Sequence, residues 1–163
     1  MRTCIAFLLA FALSGPLFAQ NSKLPELNKK IVDYVSSVIG TTVDRGECWD
    51  LANQALSATG AYFNRSSKKT IYTFGKEIDS SKQEVLPGDI VQFTNVKLQY
   101  EKDNAIYTET MTHHTAIIYK VYEKGRYQLA HQNTGFSGRK VGLSDFNIAD
   151  MKTGKIKIYR PYR

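Results

Sequence analysis

The sequence predicts an α+β fold in which N-terminal helices pack on an antiparallel β-sheet. Three observations carry the prediction. Residues 24–59 place their apolar side chains at helical spacing. From residue 87 onward, short β-branched and aromatic runs alternate with turn residues. Those runs follow one another with no helix-period segment between them, so a doubly wound parallel sheet is disfavoured.

The elements follow in order. "LPELNKKIVDYVSSVIG" has Leu24, Leu27, Ile31, Val32, Val35 and Val38 on a helical stripe, and Gly40 can close the helix. Arg45 and Gly46 break the chain. "ECWDLANQALSATG" then brings Cys48, Leu51, Ala52, Ala55 and Leu56 to one face, and Gly60 ends that helix. Pro87-Gly88 reads as a turn into the strand "DIVQFTN", with Ile90, Gln92 and Thr94 on one face and Val91, Phe93 and Asn95 on the other. "HHTAIIYKVY", the turn "EKGR" and "YQLAHQN" form a hairpin. "KIKIYRPYR" is the last strand, with Ile156 and Ile158 alternating against lysines.

The first residues, "MRTCIAFLLAFALSGPLFAQ", have the layout of a secretory signal: Arg2, an apolar run over 4–13, then Gly15, Pro16 and a small Ala19 before Gln20. The run is short of the ~20 apolar residues that span a bilayer. The expected organisation is a signal peptide at 1–19, a helical segment at 20–45 and a catalytic domain at 46–163. The expected location is secreted or periplasmic, without stable membrane insertion after cleavage near Ala19. A monomer is expected. The formal charge is +7, and the leader removes only Arg2. The lysines and arginines are scattered rather than set in a stripe with aromatics, which argues against nucleic acid as a partner. A diffuse positive surface suits anionic polymers or membrane surfaces, and equally plain solubility.

Loss of the leader removes Cys4 and leaves Cys48 without an intrachain partner. Exported proteins usually pair their cysteines, so a single thiol is a dimer bridge, a buried bystander or a reactive group. Position favours the last. Helix N-termini carry partial positive charge and free N–H groups, which lower a thiol pKa and can also hold an oxyanion. A nucleophile needs a base. The three histidines, His113, His114 and His131, all fall in one hairpin. His114 shares a face with Ala116 and Ile118. A four-residue loop over 122–125 places His131 opposite Ala116, a diagonal neighbour of His114 at roughly 7–8 Å between α-carbons. A two-residue Lys124-Gly125 turn keeps the face but carries His131 further along the strand. An odd loop pairs His131 with His113 instead. On the four-residue register, Cys48 is the nucleophile, His114 the base and His131 the group that orients it, with Asn133 a further polar group on the same face.

Three blocks resemble the NlpC/P60 and CHAP superfamily of papain-like cell-wall amidases and endopeptidases. They are "GECWDLANQAL", "LPGDIVQF" and "HTAIIYKV…LAHQN", in that family's order, covering residues 46–133. The resemblance implies a papain-like NlpC/P60-CHAP fold, a Cys-His-polar triad of Cys48, His114 and His131 with Asn133 assisting, and peptidoglycan or another amide as substrate. His131 stands where the NlpC/P60 branch often has histidine, and Asn133 where the CHAP branch has asparagine. The order Cys48 before His114 disfavours circularly permuted relatives. The Cys-Trp-Asp start departs from the usual Asp-Cys-Ser-Gly.

The expectation is therefore a secreted cysteine hydrolase without cofactor or metal. A zinc site on Cys48, His114 and His131 uses ligand types, but no Cys-x-x-Cys or His-x-x-x-His spacing supports it. The competing classes are a binding module with an unused thiol and an effector amidase with another target. Asp89 is expected to cap the strand entry, and Trp49, Tyr100 and Tyr107 to pack.

Overall fold

The computed structural model describes residues 24–68 and 70–163. The leader at 1–19 therefore lies outside the described residues. Two helices, α1 (Glu26–Val38) and α2 (Cys48–Thr59), precede β1 (Lys76–Ile78), β2 (Ile90–Lys102), β3 (Ala105–Glu123), β4 (Arg126–His131), β5 (Gly142–Asn147), a 3₁₀ turn (Ile148–Asp150) and β6 (Met151–Arg160). The strands form one antiparallel sheet in the order β1-β6-β2-β3-β4-β5. The α+β class read from the periodicities is the class observed.

The sheet buries both faces. Against one lie the helices: Ile31 and Val35 of α1 and Leu51, Ala52, Ala55 and Leu56 of α2 share a core with Ile90, Ile117, Ala130 and Tyr159. The opposite face curls around a second core of Val91, Phe93, Ala116, Ile118, Tyr127, Leu129, Phe146 and Ile158. Phe93 of β2 and Phe146 of β5 have two strands between them in the sheet, yet their rings meet edge-on at 5.2 Å. That contact requires a strongly coiled sheet, as right-handed strand twist produces. It also explains why residues 90–93 are all buried. With both faces covered, a strand reads as a continuous apolar run rather than an alternation.

α1 is part of this domain rather than a segment beside it. Its connector to α2 exchanges backbone hydrogen bonds with Val141, from Gly40 N–H (2.9 Å) and to Thr41 C=O (2.8 Å). The Pro-Gly-Asp block is where α1 meets the sheet. Gly88 has φ +85°, and a Cβ there would stand 2.6 Å from the carbonyl oxygen of Asn28, so only glycine fits. Asp89 is fully buried. It accepts from Leu86 N–H (2.8 Å), from Asn28 Nδ2 (3.0 Å) and from the Arg160 guanidinium (2.8 and 3.1 Å). It ties strand entry, helix and last strand together, the structural role expected of it.

Four strand features differ from the sequence expectation, the first being β1, which no run in the sequence reading marked. β2 and β3 run far beyond "DIVQFTN" and "HHTAIIYKVY", joined by a two-residue Asp103-Asn104 turn whose φ values are +51° and +59°. Ile106 and Tyr107 apart, most exposed positions of the outer hairpin carry charged and polar side chains, so its apolar pattern is weak, although Asp-Asn in left-handed geometry is a hairpin signal. β5 lies in "GLSDFN", where no β-branched run marks it. The last strand begins at Met151, before the "KIKIYR" run.

The β3–β4 connection is also shorter than the four-residue loop expected. Glu123 pairs with Arg126 across Lys124-Gly125. Two register shifts, between Ile118 and Lys120 and between Val121 and Glu123, then return the ladder to the pair Ile117↔Ala130. The next residue of β4, His131, therefore comes opposite Ala116, as the longer loop would have placed it. Bulges add a residue to one strand and here replace loop length.

Candidate active site

The site is built from the N-terminus of α2 and the adjoining ends of β3 and β4. What starts α2 at Cys48 is Asp50, fully buried in the first turn. Its carboxylate accepts from the N–H groups of Arg45 (3.2 Å) and Glu47 (3.1 Å) and from the Arg45 guanidinium (2.5 Å). This is the carboxylate side of a helix capping arrangement. Gly46 makes the approach possible. Its φ is +83°, and a Cβ there would meet the side chain of Arg139 at 2.6 Å. The glycine of "GECW" thus answers to backbone conformation and to the neighbouring 139 segment.

Cys48 is half-buried and unpaired among the described residues. Burial pushes its thiol pKa up; the N–H groups of Thr115, Trp49 and Cys48 itself pull it down, and the Glu47 carboxylate adds a small push upward. The upward influence prevails. The helix end therefore opposes desolvation of the thiolate without overcoming it, and the lowered thiol pKa expected from the sequence is not found. The Thr115 N–H beside the sulfur also locates the thiol against β3, one residue from His114.

His114 and His131 lie on the concave face, with Ala116 and Ile118 on one strand and Leu129 on the other. Their rings are 5.1 Å apart and edge-on, and Nε2 of His114 is 2.9 Å from Nδ1 of His131. Ala116 leaves the space that the contact needs. The other nitrogen of His131, Nε2, is 2.8 Å from Oγ of Ser144 on β5. Phe136 lies against the His131 ring at 5.5 Å. Burial depresses the pKa of both histidines, and each is lowered further by a neighbouring imidazole, His113 for His114 and His114 for His131. Both rings are neutral at pH 7. A neutral pair shares one proton, so one nitrogen of the 2.9 Å contact donates and the other accepts.

Cys48, His114 and His131 open onto a cleft of ≈ 550 Å³ whose walls are Glu109–His114 of β3 and Asn133–Phe136 beyond β4. Asn133 stands on its rim, in left-handed conformation (φ +61°). Its amide donates to Glu47 Oε2 at 2.7 Å and makes no hydrogen bond to either histidine among the described residues. It braces the residue before Cys48. His113 also borders the cleft but lies on the other strand face, its ring edge-on to Tyr72 at 4.1 Å and close to Gln92. Of the three histidines, the two on the same strand face as Ala116 are thus the pair brought together.

Two residues that the sequence reading passed over shape the site. Ser144 is one. Gln132 is the other: fully buried, it donates to the carbonyls of Val43 (2.9 Å) and Glu47 (2.8 Å) and accepts from Val43 N–H (3.2 Å). It fastens the end of β4 to the segment that delivers Cys48. The sequence carries no local signal for Gln132, which stands between His131 and Asn133 just past the end of β4. Trp49 packs on Phe63 at 5.9 Å and donates to Ile71 C=O. Tyr100 and Tyr107 stack on each other at 5.6 Å.

The cleft brings together the residue types that nucleophile–base chemistry uses, although no hydrogen bond joins Cys48 to either histidine among the described residues. With Nδ1 of His114 accepting the Cys48 proton, its Nε2–H donates to His131 and the imidazolium gains a neutral acceptor. The N–H groups at the start of α2 can receive charge that develops on a substrate oxygen.

No curated protein matches the chain. Among solved structures, the chain is similar to Ly7917 with the hydrolyzing product of MDP. There the TM-score is 0.53 at 17% identity, over 82% of this chain and 62% of that one. A second structure of Ly7917 gives a TM-score of 0.49 at 17% identity. The chain spans 62% of the Ly7917 length, and the likeness at 0.53 is one of fold. A model of the AIM3/BBC1 cysteine proteinase-fold domain matches residues 24–163, and the chain belongs to that family.

Proposed function

We propose that this domain is a cysteine hydrolase that cleaves an amide bond, with Cys48 as nucleophile, His114 as general base and His131 as the group that orients it. The observation that carries the reading is the 2.9 Å contact between Nε2 of His114 and Nδ1 of His131, in a cleft that also holds Cys48. It leaves Nδ1 of His114 for the thiol. Because the thiol pKa is raised and the imidazole pKa lowered, the resting pair is neutral. Proton transfer then accompanies attack on the carbonyl, and His114 afterwards returns the proton to the leaving amine.

The proposed substrate is an amide of peptidoglycan, in a stem peptide or at its junction with sugar. Support comes from the NlpC/P60- and CHAP-like blocks and from Ly7917, solved with the hydrolyzing product of MDP. Export, by the leader-like residues at 1–19, fits such a target, as does an effector amidase aimed at another cell. A second reading, a ligand-binding cleft with an unused thiol, draws on the upward push that burial gives Cys48.

Two measurements separate these readings. Wild type should release new amine termini from purified wall fragments, detected by mass spectrometry, and Cys48→Ser should release none. Equal product from both, or none from wild type, removes this substrate. Iodoacetamide should label Cys48 at pH 7 at least about a hundredfold faster in wild type than in His114→Ala, the lower end of general-base assistance. Equal rates would leave the thiol unassisted and favour the binding module.

A further inference from the structure

We infer that Ser144 is a positioning residue that permits the base-competent proton arrangement of the histidine pair; this rests on the hydrolase reading above. The geometry is a diagonal staircase across three neighbouring strands. His131 comes opposite Ala116, so His114 is its diagonal neighbour on β3. On the other side, His131 pairs with Gly142 and Leu129 with Ser144, so Ser144 is its diagonal neighbour on β5. Each step spans roughly 7–8 Å between α-carbons and is closed by side chains, at 2.9 Å and then 2.8 Å. Directly opposite His131 stands Gly142. A Cβ there would strike Phe136 at 2.6 Å and Ser137 at 2.7 Å, so the absence of a side chain lets Phe136 close over the imidazole.

Two proton arrangements satisfy the 2.9 Å contact. In the first, His114 carries its proton on Nε2 and donates to Nδ1 of His131. Nδ1 of His114 is then bare and can accept from Cys48. In the second, His131 is protonated on Nδ1 and donates, and His114 is left with its proton on Nδ1, where it cannot act as the base. The first arrangement puts a proton on Nε2 of His131. His131 is only 6% exposed, and a buried N–H without an acceptor is among the rarest features of folded proteins. Oγ of Ser144 is the acceptor it has among the described residues. Serine thus makes the base-competent arrangement possible. Alanine at 144 would strand the N–H and favour the second arrangement, whose cost is an unfilled lone pair.

Long-range ¹H–¹⁵N NMR of the histidine rings tests this without a substrate. In wild type the form with Nε2 of both His114 and His131 protonated should be populated, since Ser144 accepts in that arrangement and donates to Nε2 of His131 in the other. In Ser144→Ala both rings should move toward the Nδ1–H form, and iodoacetamide labelling of Cys48 at pH 7 should slow about tenfold. Ser144→Thr, which keeps the hydroxyl, should restore the wild-type spectrum and rate. A wild-type His131 wholly in the Nδ1-protonated form overturns the inference outright, even if Ser144→Ala does not fold. So does a folded Ser144→Ala whose ring signals and labelling rate match wild type. Wild-type labelling no faster than His114→Ala, with the ring signals behaving as stated, would instead remove the hydrolase reading and leave the Ser144 assignment standing.

Discussion

Cys48 sits between opposing influences, and their balance shapes what the residue can do. Desolvation holds the thiol protonated, while N–H groups from α2 and from Thr115 favour the thiolate. In the proposed triad, a neutral histidine in third place adds no charge to stabilise an imidazolium. A carboxylate there would. The design therefore depends on directed hydrogen bonds, and single polar residues around the rings matter by direction rather than by charge. Asn133 shows the contrast. Its amide bonds Glu47 rather than a ring, and it is exposed. Asn133→Ala should keep hydrolysis and Cys48 labelling within about threefold of wild type and lower stability by about 2 kcal/mol, from one exposed hydrogen bond and the strain of alanine at a left-handed position. A hundredfold loss of labelling with an intact fold would return Asn133 to the chemistry.

At the scale of elements, the site is a junction of a helix end with two strand ends, and it has its own fastener. Gln132 makes three hydrogen bonds to the chain just before α2, all inaccessible to solvent on the Gln132 side. Gln132→Ala would leave the Val43 N–H and the carbonyls of Val43 and Glu47 without their partner. The expected cost is about 1–3 kcal/mol, read as a lowered thermal midpoint. Labelling of Cys48 should fall with it, since β4 and α2 lose their common anchor. Unchanged stability would show that water replaces the amide and that α2 is held by Asp50 alone. Asp50 and Gly46 set where the helix begins, Gln132 sets where it points, and the two bulges of the β3–β4 ladder set where His131 arrives.

At the scale of the molecule, two cores on opposite faces of one coiled sheet explain why polar groups at the site are so deeply buried. Both histidines line the concave core, and burial depresses both pKa values. Their ordinary value is 6.5, so the unfolded chain takes up protons first as pH falls. Stability is fully present above about 6.5 and is lost as pH falls below that, toward the depressed folded values. The Cys48 thiol acts at the other end. Its folded pKa is raised above the ordinary 9.0, so its contribution is present below 9.0 and is lost as pH rises past it. Chemical denaturation across pH should therefore show a plateau between these limits. Replacing His114 and His131 together by glutamine should flatten the acid limb. An acid limb of the same steepness in that double variant would assign it to carboxylates instead.

The α+β class, both helices and the inner halves of β2 and β3 were legible because each rests on a local period of apolar residues. Cys48 and His114 were legible as candidates because their chemistry is scarce in this chain and their spacing to helix start and strand face is local. His131 was reached through a loop length that the structure does not have, and two bulges delivered the same register. Ser144 and Gln132, by contrast, could not be read. Each acts through a partner on another strand or on the approach to α2, and the side a polar group bonds to depends on bulges, coiling and close backbone approach. The sequence by itself determined which elements form and which groups can react. The tertiary structure alone decided which of those groups touch, because hydrogen bonds a few ångströms long between distant segments are set by register, which periodicity does not encode.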